Sequence, residues 1–81
     1  MGMEWIAVES SAISALGYDA GRRRLGIEFQ KSGLVYFYYA VPRWEFEDFL
    51  KADSKGRYLT QIFLPKGYPY SGPFPNRTQA A

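Results

Sequence analysis

From residue 24 the chain alternates. In RLGIEFQ, Leu25, Ile27 and Phe29 occupy every second position, and Arg24, Gly26, Glu28 and Gln30 lie between them. A period of two predicts a half-buried β-strand. AISALGYD, residues 12–19, reads as a preceding short strand, and DAGRRR (19–24) supplies the Asp and Gly of a hairpin connection. KSG (31–33) makes a second tight turn into GLVYFYYAVP, residues 33–42. Two successive hairpins predict a three-stranded antiparallel meander. The third strand carries four rings side by side. Its pleat must send Tyr36 and Tyr38 to one face of the sheet and Phe37 and Tyr39 to the other.

Beyond Pro42 the period changes. Pro42 ends the strand and suits the first turn of a helix. RWEFEDFLKA (43–52) follows, with Glu45, Glu47 and Asp48 toward its positive end and Lys51 toward its negative end. Phe46, Phe49 and Leu50 cluster on one face, and Trp44 lies nearly opposite, beside Asp48 and Lys51. Ser54 reads as the N-cap of a second helix, KGRYLTQIF (55–63), whose apolar side is Tyr58, Leu59 and Ile62. After Leu64 the chain holds four of the five prolines, which predicts an extended stretch ending in a largely disordered Pro/Gly-rich tail over residues 71–81. The expected order is β-β-β-α-α. The class is α+β, with two helices packed on one face of a three-stranded meander.

Composition adds exclusions more than assignments. Eighty-one residues, 47% hydrophobic and 19% aromatic, make one domain with an ordered core. Fifteen large rings (2 Trp, 7 Tyr, 6 Phe) suffice to build that core before any binding role is invoked. The absence of Cys and His removes disulfides, thiol nucleophiles, N/S metal sites and the commonest general base, so no metal, cofactor or catalytic centre is expected. The start shows no secretory signal and no run reaches transmembrane length, which makes a cytoplasmic protein without membrane contact the expectation. Charge is unevenly placed. Residues 1–53 hold six basic and eight acidic side chains, −2, whereas 54–81 hold Lys55, Arg57, Lys66 and Arg77 with no acid, +4. This is a mild bias toward an anionic partner at the C-terminal end.

GYD at 17–19, the Tyr-x-Tyr of Tyr36 and Tyr38, VP at 41–42 and ADSKGRYL at 52–59 together resemble the KTSC domain, a short module found alone in bacterial proteins and at the C-terminus of some lysyl-tRNA synthetases. The likeness runs over roughly residues 10 to 70, so residues 6–70 are expected to form the single KTSC-like domain. The family has no settled activity, and the synthetase context suggests RNA binding. The residue between the two tyrosines is commonly polar in similar sequences. The resemblance therefore implies that Leu34, Tyr36, Tyr38 and Ala40 lie under the helices and that Phe37 and Tyr39 occupy the open face. This chain departs from the pattern by its Phe at 37 and by Trp44 and Glu45, where similar sequences tend to place an apolar residue second.

Four candidate surfaces follow. Phe37 and Tyr39, with Arg24 and Gln30 on the neighbouring strand, would form an aromatic and basic platform for single-stranded RNA, unless the N-terminal WIAV (5–8) or the tail YPYSGPFP (68–75) folds over it. Ser54, Lys55 and Gly56, with Arg57, could hold an anion, although capping of the second helix explains the same residues. Arg22 and Arg24 in the first hairpin could contact phosphates or stay solvated. Trp44 could be a contact ring or be packed beneath the tail. The expected function is a small non-catalytic binding module for RNA, using Arg22, Arg24, Phe37, Tyr39, Trp44, Lys55 and Arg57. The alternative is a protein-interaction or self-association module with no nucleic-acid role.

Overall fold

The computed structural model describes residues 3–77. Five strands, β1 (Glu4–Ala7), β2 (Ile13–Asp19), β3 (Arg24–Phe29), β4 (Val35–Tyr38) and β5 (Tyr70–Phe74), form one antiparallel sheet in chain order. Between β4 and β5 run α1 (Arg43–Lys51) and α2 (Lys55–Tyr58), which continues through a π-helical turn (Leu59–Phe63) into a 3₁₀ turn (Leu64–Lys66). The α+β class and the central β2–β3–β4 meander match the sequence reading. The sheet has two more strands than expected, and the helices precede the last of them.

Both added strands have physical reasons to be inconspicuous. In β1 only Trp5 is partly covered, and its neighbours Glu4, Ile6 and Ala7 are exposed, so no alternation is visible. β5 contains Gly72 and Pro73, residues that argue against a strand except at a sheet edge, and β5 is an edge. Residues 70–74, expected partly as disordered tail, therefore pair with β4, with Tyr70 opposite Tyr38 and Phe74 opposite Val35. The last part of that tail, residues 78–81, lies outside the described residues.

The sheet is covered on both faces. On the helix side Ile13, Leu16, Leu25 and Ile27 pack with Tyr38, Phe46, Phe49 and Phe63 in one buried cluster. The π turn brings Phe63, rather than Ile62, into line with Tyr58 and Leu59, because a turn closed by i→i+5 bonds carries extra residues. Ile62 is left exposed, contrary to its expected place on the apolar side. Ala40 is likewise not under the helices. Its φ of 59° swings the chain out of β4 toward Pro42, and its side chain is exposed.

The far side depends on two glycines. Trp5, Gly17, Gly26 and Phe37 face one another in successive strands. A Cβ built at Gly17 would come within 2.7 Å of the Trp5 ring, and one at Gly26 within 2.5 Å. The indole thus lies against bare backbone across β2 and β3 and reaches the Phe37 ring edge-on, at 6.2 Å between centroids. Phe74 of β5 meets Phe37 from the other side at 5.9 Å.

Gly26→Ala is expected to lower stability by about 1–3 kcal/mol through overpacking against the indole. Trp5→Ala should remove part of that penalty in the double variant, because Met3 Sδ would also stand 2.8 Å from the new Cβ. Urea midpoints of the four proteins measure the coupling, and strictly additive losses would show that the ring does not rest on Gly26.

Candidate functional site

The structure disperses the residues expected to form the RNA platform. Phe37 is only 4% exposed, enclosed by Trp5 and Phe74, so it offers no face to a base. Both segments named as possible covers, the N-terminal stretch and the tail, supply a ring. Arg24 lays its guanidinium over Phe37 at 4.8 Å, and its buried Nε has no hydrogen-bond partner. Tyr39, half-buried, shares a hydroxyl contact with Ser71. The cover is fastened by Arg77, which donates to both carboxylate oxygens of Glu28 at 3.1 and 3.0 Å and stacks on Trp5 at 4.5 Å. The Arg77 bonds hold the Glu28 carboxyl below the ordinary carboxylate range despite partial burial.

The remaining expected contacts do not converge either. Arg22 is exposed in the β2–β3 turn, where its backbone N–H donates to Asp19. At the start of α2, Ser54 accepts the Arg57 backbone N–H and Lys55 donates to the Ala52 carbonyl, which is a helix cap. Gly56 faces Ala12 closely, and Arg57 points to solvent. Trp44 is 54% exposed and is not beneath the tail; the Lys66 ammonium sits over its ring at 4.8 Å.

A different surface is assembled on the helix side. Beyond the edge of the buried cluster an open cavity of about 820 Å³ runs between β3, β4, β5 and the Leu64–Tyr68 segment. Its wall is a nearly continuous chain of rings. Phe29 meets Tyr36 edge-on at 5.6 Å, Tyr36 meets Tyr70 at 5.9 Å, and Tyr70 meets Tyr38 at 5.6 Å. Tyr38 then meets Phe63 at 4.9 Å and Phe63 meets Tyr68 at 5.2 Å. Leu34 and Leu64 extend the apolar wall, and Ser11, Lys31 and Ser32 stand at the hairpin end. The size falls within the usual range for a ligand cavity, about 300–1,000 Å³. Tyr36 and Tyr38, expected as core rings, split their roles. Tyr38 is buried, while Tyr36 is half-buried and shows part of its ring to the cavity. Burial and the neighbouring Tyr36 and Tyr70 push the Tyr38 hydroxyl above its ordinary range.

Behind this wall is a buried carboxylate. Glu45, expected near the positive end of α1 as a dipole partner, is fully buried and packed behind the groove. Its two oxygens accept from the Tyr58 hydroxyl, from Lys66 Nζ at 2.7 Å and from the Tyr68 hydroxyl at 2.8 Å. Burial alone would push its carboxyl up. The three donors outweigh that, and it lies below the ordinary range. The same contact, added to burial, pushes Tyr68 up to about 12 and raises Tyr58 as well. Glu45 thus fixes Tyr68, the last ring of the groove. A signal for this existed in the sequence: at helical spacing position 45 falls on the stripe of Phe46 and Phe49, where an unpaired carboxylate could not stay.

Among the described residues no group of three or more His, Cys, Asp or Glu is placed to hold a metal ion. No described helix is long and apolar enough to cross a membrane.

Comparison with known proteins agrees with the fold. The sequence model of the KTSC domain matches residues 9–68. An uncharacterized protein of Stutzerimonas stutzeri is 43% identical over 68 residues, 84% of this chain and 94% of its own. A protein of Tsukamurella paurometabola is 46% identical over 59 residues, 73% of this chain and 87% of its own. The crystal structure of a KTSC domain protein from Yersinia pestis superimposes with a TM-score of 0.78 at 33% identity, over 86% of this chain and 96% of that one.

Glu45→Ala strands three donors and is expected to cost about 3 kcal/mol, the scale for breaking a buried ion pair. The acid response follows from the direction of the shift. A carboxyl held below its unfolded value contributes stability above about pH 4.5 that is lost as pH falls further. Urea midpoints should therefore fall steeply between about pH 5 and about pH 2, and less steeply in Glu45→Gln, with the part due to Glu28 remaining. Equal slopes in the two proteins would rule out Glu45 as the acid-sensitive group.

Proposed function

The chain belongs to the KTSC domain family, and we propose that it is a non-catalytic binding module whose working surface is the ring-lined groove and whose ligand is an extended polypeptide segment. One observation carries this reading: along one wall of the open cavity the Tyr70 ring touches both Tyr36 and Tyr38, and Phe29 meets Tyr36 edge-on. Grooves lined by aromatic rings take proline-bearing and aromatic segments, because such chains are already extended and lose little entropy on docking. The open trough shape suits a chain that enters and leaves it.

RNA is the less favoured ligand. The platform expected for it needed Phe37, whose ring is enclosed. Lys31 is the one cation among the described residues that line the groove, whereas nucleic-acid binding draws its affinity from several phosphate contacts. Arg22, Arg24 and Arg43 belong to the opposite end of the sheet and the start of α1.

Titration of isotope-labelled protein with the peptide acetyl-Pro-Pro-Tyr-Pro-Pro-amide is expected to shift the amides of residues 34–38 and of Gly67, Tyr68 and Tyr70. Tyr70 is 61% exposed, so Tyr70→Ala should leave folding intact and weaken binding by about tenfold, or about 1.4 kcal/mol. Shifts absent from the groove, or untouched by Tyr70→Ala, would sink the proposal. An oligouridylate that moves the same amides and displaces the peptide would transfer the groove to nucleobases.

A further inference from the structure

The groove is chemically lopsided. Its middle and its β5 side are rings and aliphatic groups, whereas the β3–β4 hairpin end holds Ser11, Lys31 and Ser32. Lys31 is exposed. It makes no ion pair or hydrogen bond among the described residues, unlike Lys55, which donates to Ala52, and Lys66, which is held by Glu45. Among the described residues no carboxylate lines the groove to neutralise it. The Ser32 oxygen accepts the Leu34 backbone N–H, which leaves its own O–H to donate outward. Ser11 has no hydrogen-bond partner among the described residues and adds a second hydroxyl. One end of an apolar trough thus presents an ammonium and two hydroxyls, and the rest presents rings.

Resting on the reading of the groove as a polypeptide site, we propose that its ligand is an amphipathic segment of defined polarity: aromatic or proline residues on Tyr36 and Tyr70, followed by a carboxylate paired with Lys31. The charge complementarity argues for one orientation. A bound carboxylate satisfies the free ammonium and accepts from the serine hydroxyls, and charge-assisted bonds of this kind are stronger than neutral ones. A cationic segment in the same place would meet Lys31 with no counter-charge in the lining. Phenol hydroxyls along the wall supply further donors to main-chain carbonyls of the segment, since the hydroxyls of Tyr36, Tyr38 and Tyr70 make no hydrogen bond among the described residues.

Two peptides test the polarity: acetyl-Pro-Pro-Tyr-Pro-Glu-Glu-amide and its twin with both glutamates replaced by glutamines. At low salt the acidic peptide should bind at least about threefold more tightly, and the advantage should vanish near about 0.5 M salt, where the screening length is a few ångströms. Lys31→Gln should equalise the two peptides and Lys31→Glu should favour the glutamine twin, both variants sitting in an exposed turn that tolerates them. Equal affinity for wild-type protein, with groove amides shifting for both peptides, would overturn the polarity and leave the groove as the site. If neither peptide moved residues 34–38 or 67–70, the groove reading would fall as well.

Discussion

The path of the chain after β4 depends on one buried carboxylate. Glu45 sits on the apolar side of α1 with no exposure to solvent, a position that is untenable without partners. Its partners come from three successive pieces of the return path: Tyr58 at the end of α2, Lys66 in the 3₁₀ turn, and Tyr68 just before β5. Only a chain that has followed the helix, the π turn and the 3₁₀ turn in that order can satisfy them. The same contacts deliver residues 70–74 to the edge of β4, so the fifth strand and the groove beside it depend on a polar cage inside the hydrophobic layer. Such an arrangement specifies a geometry more than it adds net stability, because desolvating the charge offsets much of the attraction.

The two faces of the sheet solve one problem differently. A strand with rings at four consecutive positions cannot hide them all on one side. On the helix side the solution is a thick layer of side chains from α1, α2 and the π turn. On the far side there is no layer at all. There the Trp5 indole and the Met3 side chain are pressed onto the backbone of two glycines, with Phe74 and Arg77 closing the remainder. This economy lets a short chain cover both faces, and it removes the open aromatic platform that the sequence suggested. The exposed aromatic surface is displaced to the groove, where Tyr36 and Tyr70 meet beyond the reach of the helices.

How much of this could be read in advance follows the length scale of the cause. The β2–β3–β4 meander was legible because alternation is local, and the assignment of Tyr36 and Tyr38 to one face and Phe37 and Tyr39 to the other follows directly from the pleat. The capping role of Ser54 was legible for the same reason. The edge strands were not, since β1 and β5 owe their existence to partners elsewhere in the chain: Trp5 to Gly17 and Gly26, and the backbone of residues 70–74 to that of β4. The groove escaped notice because it is a space between elements, and rings such as Tyr68 and Tyr70 lay in a stretch that composition marks as tail. Glu45 was visible as a departure from the family pattern, yet its meaning needed Lys66 and Tyr68, more than twenty residues away.

The stacking of Arg77 on Trp5 brings the two ends of the described chain together on one side of the molecule. Topologically the module behaves as a closed ring whose seam is one guanidinium, one indole and one carboxylate. Trp5 and Arg77 meet on the sheet face that carries Phe37, opposite the groove. Neither residue lines the groove, so a substitution on one face of the sheet can leave the surface of the other unchanged.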